Sequence, residues 1–142
     1  MISPALYASS VPDRIEITRR LLAAWGTEDW PWGLMSEDFV LQQHGGNMDG
    51  IYPGRDGIEQ YAGEFAEAWD EHEVALDEIS EREGTVVALT TLRVHGRLSG
   101  IDVEIKGGGI VRFDAAGKAA RLDAYTDRDE ALSAGADSAS SP

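Results

Sequence analysis

The 142-residue sequence contains no cysteine. Disulfide bonds, thiolate ligands for a metal and a cysteine nucleophile are therefore excluded. A chain without cysteine fits a reducing compartment, and we expect this protein to be cytoplasmic. At this length a single domain can bury a core without cross-links, because the buried share of the surface grows with chain size.

Basic residues are also scarce. Twelve lysine and arginine residues stand against 26 aspartate and glutamate residues, and the formal net charge is -14. Nucleic acids and anionic membrane surfaces would repel such a chain. The apolar runs fall far short of the roughly 20 residues that a membrane-spanning helix needs. We therefore expect neither a nucleic acid nor a membrane as a partner.

Sequence motifs for common cofactors and nucleophiles are missing. The chain has no P-loop, no dinucleotide-binding fingerprint and no GxSxG nucleophile elbow. Its three histidines, His44, His72 and His95, lack the HxH or HxxxH spacing that is typical of metal ligands. We expect neither a metal nor an organic cofactor.

The strongest pattern lies between Tyr52 and Trp69. Pro53 and Gly54 close a loop, and apolar residues then recur at spacings of three and four. These spacings predict an amphipathic helix with an aromatic stripe, which needs a large apolar partner. We expect Phe65 and Trp69 to be largely buried. The stripe consists of Ile58, Tyr61, Ala62, Phe65, Ala66 and Trp69.

The flanking segments supply further elements. An earlier helix is predicted over residues 12–25, with Ser10 as its N-cap. A first strand near 39–43 and a glycine-rich loop over 44–54 follow. The second half alternates apolar and polar residues in four segments that turns connect in series, and a short helix follows Asp127. The four strands are predicted at 72–82, 85–95, 101–113 and 118–126.

This order of elements indicates the fold class. Helices that precede a series of antiparallel strands are typical of an α+β fold rather than a doubly wound one. A single sheet with helices on one side must curl around them, so we predict a strongly curved antiparallel sheet. The domain is expected to span 11–135, between a flexible leader over 1–10 and a disordered polar tail over 136–142.

Several motifs resemble the SnoaL-like branch of the NTF2-like superfamily. The resemblance covers roughly Val11 to Gly135 and implies a cone, in which the curved sheet encloses an apolar pocket, often in a homodimer. The superfamily includes polyketide cyclases, ketosteroid isomerases, epoxide hydrolases and proteins that only bind a small molecule. The resemblance therefore implies a small apolar molecule and a second copy of the chain as partners. It rests on helix 12–25, the YPGRDGI turn at 52–58, the RLSG hairpin at 97–100, the Gly117-Lys118 turn and the final RLDAYTDRDEAL.

One subgroup can be compared residue by residue. The segment LRVH at 92–95 resembles the strand of limonene-epoxide-hydrolase-type enzymes that carries an Arg-x-Asp pair, with His95 in place of the aspartate. Alignment on Tyr125 puts Ala124 where the second aspartate would be. Asp123 lies one residue earlier and points to the opposite face of a strand, unless a bulge shifts the register. Epoxide hydrolysis is therefore not supported.

Three residues are candidates for catalysis. His95 titrates near neutral pH and is the first candidate for proton transfer, and Arg93 on the same strand face could stabilise an oxyanion. The alternative is that both side chains lie on the convex face, in water or in a dimer contact. Asp123 is the third candidate, either as an inward acid whose pKa is raised by burial or as part of an outward charged ladder.

Five residues are candidates for ligand binding. In a cone the core and the pocket wall are one surface, so we expect Trp25, Tyr61 and Phe65 to contribute to both. His44 ends the first strand near the expected mouth of the cone, although a loop histidine is more often simply exposed. Gly108 is the centre of a three-glycine run, which marks a bulge or a close approach of a ligand or backbone.

Two functions remain open at this point. One is a cofactor-independent isomerase or cyclase that uses acid–base chemistry on an apolar, carbonyl-bearing substrate. The other is a non-catalytic module for small-ligand binding or dimerisation. The polarity of the pocket discriminates between them, because an enzyme of this kind needs ionisable groups that converge inside the pocket.

Overall fold

The structure, a computed structural model, describes residues 12–140 of the chain and the side chains up to residue 136. The leader predicted over 1–10 lies outside the described residues. The elements, in chain order, are α1 (Arg14–Ala23), a 3-10 turn (Trp32–Leu34), β1 (Met35–His44), β2 (Gly50–Pro53), α2 (Gly54–Ala68), β3 (Trp69–Arg82), β4 (Thr85–Gly96), β5 (Asp102–Phe113), β6 (Ala119–Tyr125) and α3 (Arg128–Ser140).

Helix α1 begins at a side-chain cap. The Asp13 carboxylate accepts the backbone N–H of Glu16 at 2.8 Å, which satisfies one of the free donors of the first turn. The N-cap is therefore Asp13, three residues later than the Ser10 that the sequence indicated. Ile17 and Leu21 are buried on the inner side of this helix, so α1 contributes one wall of the core.

Helix α2 confirms the amphipathic pattern. Its buried positions include Ile58, Tyr61 and Phe65, and Phe65 is only 3% exposed. Trp69 differs from the expectation, because it is only partly buried and is the first residue of β3. The helix ends at Ala68 and the backbone turns directly into an extended conformation at Trp69, with φ -131° and ψ 132°. The indole therefore packs at the edge of the core rather than at its centre.

The sheet has six strands in the order β2-β1-β6-β5-β4-β3 and is curved without closing into a barrel. The α+β class with a curved sheet is confirmed, but one pairing corrects the prediction: β1 and β6 run parallel. The antiparallel partner of β1 is β2, which forms within the segment 44–54 that was predicted to be a loop. The sheet is therefore mixed.

Helices cover both faces of the sheet. The inner face packs against α1 and α2, and this layer buries Leu21, Phe39, Ile58 and Leu122. Helix α3, longer than the short helix predicted after Asp127, packs on the outer face of β4 and β5. None of the described helices is long and apolar enough to cross a membrane.

The core assignment can be tested by truncation. Phe39 is 0% exposed, so Phe39→Ala should reduce the free energy of unfolding by about 3–5 kcal/mol through lost burial and the cavity it leaves. Leu98 in the β4–β5 turn is 96% exposed, and Leu98→Ala should change it by less than about 0.5 kcal/mol. Chemical denaturation measures both values. Similar losses in the two variants would contradict the position of the core.

Candidate functional site

A cavity of about 280 Å³ lies between the two inner helices and the inner face of the sheet. Its walls are mainly apolar and aromatic. Helix α1 contributes Leu22, and the sheet contributes side chains from β3 to β6. The candidates Trp25, Tyr61 and Phe65 all line this cavity, as the resemblance implied. The apolar lining from the sheet consists of Trp69, Val74, Leu92, Ile105, Leu122 and Ala124.

The segment 45–49, which we call the rim loop, borders the cavity after the end of β1. Its shape is held by two hydrogen bonds: Gly45 donates its N–H to the Asp49 carboxylate at 2.7 Å, and the Tyr52 hydroxyl donates to the Met48 carbonyl at 2.8 Å. Burial, together with Glu64 nearby, raises the pKa of Tyr52 to about 12. The Tyr52 hydroxyl therefore keeps its proton and remains a donor over the whole physiological range.

One polar side chain inside the cavity stands out. Gln43 on β1 is only 7% exposed, and its Oε1 accepts a hydrogen bond from the Tyr61 hydroxyl at 3.1 Å. Burial raises the pKa of Tyr61, so this hydroxyl stays protonated and donates. The Gln43 Nε2 carries two N–H groups, but its bond to the Gly45 carbonyl is 3.5 Å long, at the limit for a hydrogen bond. Gln43 therefore has donor capacity to offer a ligand.

The cavity lining formed by the described residues carries no formal charge. Among the described residues that border it, none is an aspartate, glutamate, histidine, lysine or arginine. Its polar side chains are neutral: Gln43, Asn47, Tyr61, Thr90, Tyr125 and Thr126. The site can therefore bind through apolar contact and neutral hydrogen bonds.

Arg93 and His95 lie on the opposite face of the sheet. Strand β4 alternates, and Leu92 and Thr90 take the inward positions. Arg93 pairs with Glu104 at 3.1 Å and Glu73 at 3.4 Å, on the outside. The expectation that Arg93 and His95 share the cavity wall is therefore corrected by the alternation of this strand, and their catalytic role stays a prediction that the cavity geometry does not support.

His95 has a charged partner on this outer face. Its Nδ1 lies 2.7 Å from the Asp102 Oδ1 on the neighbouring strand. The hydrogen bond to Asp102 raises the pKa of His95, and Asp70 and Glu71 add to this effect, while desolvation opposes it. A pair of this kind is typical of an exposed cross-strand contact.

Asp123 and His44, two further candidates, are brought together on the outer face of β6 and β1. The His44 Nε2 is 2.9 Å from the Asp123 carboxylate, which also pairs with Arg112 at 2.7 Å and Arg121 at 2.9 Å. We call these four residues the outer-face ion cluster. The register between β5 and β6 is unbroken around Asp123, so no bulge turns it inward. His44 also stacks on Tyr125, with ring centroids 4.4 Å apart.

The charge of Asp123 is stabilised although it is only 4% exposed. Burial by itself would raise its pKa, but hydrogen bonds from Arg121 and His44 outweigh that effect and hold the pKa below its usual range. Asp123 is therefore ionised at neutral pH. It does not have the raised pKa that a general acid requires.

Gly108 borders the cavity with its backbone only. A Cβ at this position would point away from the cavity, 2.9 Å from the Ala131 Cβ of α3. Gln43 is the site residue that sequence reasoning missed. The sequence signal was the alternation of Phe39, Leu41 and Gln43 along β1, which puts Gln43 on the same face as two apolar residues. In the structure all three side chains are buried.

The family model described as the SnoaL-like domain matches residues 18–122. Comparison with curated proteins gives no match. Among solved structures, an NTF2-like protein from Burkholderia thailandensis E264 superposes with a TM-score of 0.72 at 20% identity, over 93% of this chain and 100% of that chain.

Two further structures are similar. A proposed SnoaL-like polyketide cyclase from Jannaschia sp. CCS1 has a TM-score of 0.67 at 19% identity, over 93% of this chain and 98% of that chain. TerC, co-crystallised with polyporic acid, has a TM-score of 0.69 at 20% identity, over 84% of this chain and 95% of that chain. At these identities the similarity shows a shared fold.

The outer-face ion cluster predicts a pH-dependent stability. Because the native pKa of Asp123 is lowered, its carboxylate stabilises the fold above the pKa of the unfolded chain, and this contribution is lost as pH falls through the native pKa. Asp123→Asn should therefore be less stable than the wild type at pH 7, and the difference should shrink below about pH 4. Urea denaturation between pH 7 and 3 measures it. The exposed Asp29 provides the control Asp29→Asn; a pH-independent difference for Asp123→Asn would contradict the assignment.

The His95–Asp102 pair predicts a raised histidine pKa with the opposite sign of pH dependence. The pair stabilises the fold below the pKa of unfolded histidine, and this contribution is lost as pH rises through the native pKa. In NMR titrations the imidazole of His95 should titrate above its ordinary range, and Asp102→Asn should move it down. An unchanged titration in Asp102→Asn would show that the pair does not form in solution.

Proposed function

Because the chain belongs to the family of SnoaL-like domains, we propose that it binds a small, uncharged, carbonyl-bearing aromatic molecule in the cavity and does not convert it. The observation that carries the proposal is the neutral lining: aromatic walls around one buried amide. Pockets for small molecules are mostly apolar, with a few placed polar groups that fix orientation.

The size of the cavity bounds the ligand. An apolar cavity of about 150 Å³ accommodates one benzene ring in a protein core, and the present cavity is about 280 Å³. A molecule of two to three fused rings therefore fits, whereas a single ring would leave space unfilled. Empty space beside a bound ligand forfeits dispersion contacts, so the larger molecule is favoured.

The walls and the amide define the chemistry of the ligand. Trp25 and Tyr61 meet edge to face with ring centroids 5.3 Å apart, and Tyr61 and Phe65 lie 6.2 Å apart. Such rigid rings favour a flat partner. The N–H groups of Gln43 favour an acceptor such as a carbonyl oxygen. The fold neighbour TerC, co-crystallised with polyporic acid, supports the idea that this fold accommodates an organic molecule.

Binding is favoured over turnover because the ionisable candidates face away from the cavity. General acid–base catalysis needs a titratable side chain within hydrogen-bond reach of the reacting proton. His95, Arg93 and Asp123 lie on the outer face of the sheet, and the Tyr61 hydroxyl stays protonated because burial raises its pKa. The isomerase or cyclase alternative would need a base that is not found among the described residues of the cavity lining.

Ligand binding and its anchor can be tested with matched pairs. Fluorenone and fluorene differ by one carbonyl oxygen, and we expect the ketone to bind more tightly to the wild type. Gln43→Met removes the donor at similar volume and should weaken fluorenone binding by about 3–10-fold, the value of one hydrogen bond of about 0.5–1.5 kcal/mol. Fluorene binding should change little. Calorimetry or quenching of tryptophan fluorescence measures the dissociation constants.

The exposed Gln60 on α2 provides the control Gln60→Met, which should bind both molecules as the wild type does. Equal affinities for ketone and hydrocarbon would refute the anchor, and no binding of either would refute the binding site. Consumption of a bound ketone that His95→Gln abolishes would show that the protein is an enzyme after all.

A further inference from the structure

The three consecutive glycines of β5 differ in what a Cβ atom at each position would contact. At Gly107 a Cβ would overlap the carbonyl oxygen of Tyr125 on the neighbouring strand. At Gly108 a Cβ would lie 2.8 Å from the Ala88 carbonyl oxygen and 2.9 Å from the Ala131 Cβ. Both distances are too short for real contacts. Close approach of the backbone and of α3 therefore accounts for glycine at these two positions.

Neither packing nor backbone conformation requires glycine at position 109. A Cβ there would meet its nearest neighbours, the Asp123 carbonyl oxygen and the Leu122 Cδ2, at 3.7 and 3.8 Å, which are ordinary contacts. The backbone is an extended strand without a positive φ. Glycine weakens a strand interior, so its presence here has a local cost. The missing side chain at position 109 leaves open volume in the cavity, because Gly109 and Leu122 both line it.

The position of Gly109 relative to the proposed anchor follows from the register of three adjacent strands. Gln43 on β1 pairs with Ala124 on β6, and Ala124 pairs with Gly109 on β5. Neighbouring strands lie about 4.8 Å apart, so Gly109 is about 10 Å from Gln43 across the floor of the cavity.

We propose that Gly109 sets the size of the ligand: its missing side chain makes room for the far ring of a fused aromatic ketone whose carbonyl is bound by Gln43. The small Ala124 between them lets the ring system lie flat across β6. This inference rests on the proposed binding function and adds a limit on the size of the ligand. A methyl or larger side chain at position 109 would occupy the end of the cavity that lies away from Gln43. The hydrogen-bonding group of Gln43 would not change.

The test uses ketones whose fused rings extend progressively further from the carbonyl: acetophenone with one ring, 2-acetylnaphthalene with two and 2-acetylanthracene with three. Gly109→Val should weaken the binding of the two longer ketones by about tenfold or more, a loss typical of a misfit of one or two carbon atoms in a pocket. It should change the acetophenone dissociation constant by less than about threefold. Gly109→Ala should show the same trend to a smaller degree. Its melting temperature should equal or exceed that of the wild type, because the Cβ fits and alanine restricts the unfolded chain.

Gly63→Ala is the matched control. Gly63 lies on the exposed side of α2 with nothing within 4 Å of a built Cβ, so this variant should bind all three ketones as the wild type does. An unchanged ratio of 2-acetylnaphthalene to acetophenone affinity in both Gly109 variants would overturn the size limit while the binding function stands. The same loss for all three ketones would also overturn it. Failure of the wild type to bind any ketone would overturn the binding function and this inference together.

Discussion

The burial of rigid aromatic rings between α2 and the inner face of the sheet is the constraint on which the rest of the structure depends. Tyr61 is at the centre of this layer and contacts Trp25, Tyr52 and Phe65, with ring centroids 5.0–6.2 Å apart. Aromatic rings bury large apolar areas and prefer offset or edge-to-face contacts with one another. The same rings that pack the core, Trp25, Tyr61 and Phe65, also form a wall of the cavity.

The sheet also separates charge from the cavity. Successive side chains of a strand point to opposite faces, so each charged residue of β4 and β6 that alternates with an apolar one is directed outward. Asp123 can be buried only because three cationic or hydrogen-bonding partners surround it. No equivalent set of partners lies among the described residues of the cavity lining, and a lone charge there would be strongly disfavoured. This separation supports the proposal of binding without acid–base chemistry.

The helices were the easier part to predict. A stripe such as Ile58, Tyr61 and Phe65 extends over about two turns of a 15-residue helix, and a long amphipathic period has few alternatives. Strand faces are harder, because Leu92 and Val94 alternate with Arg93 and His95 and the pattern fits either orientation locally. The inward face is decided by what lies across the sheet, here the aromatic layer of α1 and α2. Resemblance to an enzyme strand favoured the polar pair as the inward face, whereas in the structure Leu92 lines the cavity.

The parallel pairing of β1 and β6 shows most clearly what a single sequence leaves open. A parallel pair brings the ends of two strands to the same edge, so residues distant in sequence meet there. Gln43 lies beside Ala124 on the inner face, and His44 beside Tyr125 on the outer face. The same pairing places Gly45 of the rim loop against Thr126, where a Cβ would come within 2.5 Å of the threonine hydroxyl. One long-range pairing thus positions Gln43, the rim loop and the outer-face ion cluster. Local sequence patterns predict that these residues lie in or beside strands, but they do not predict which strands pair with each other.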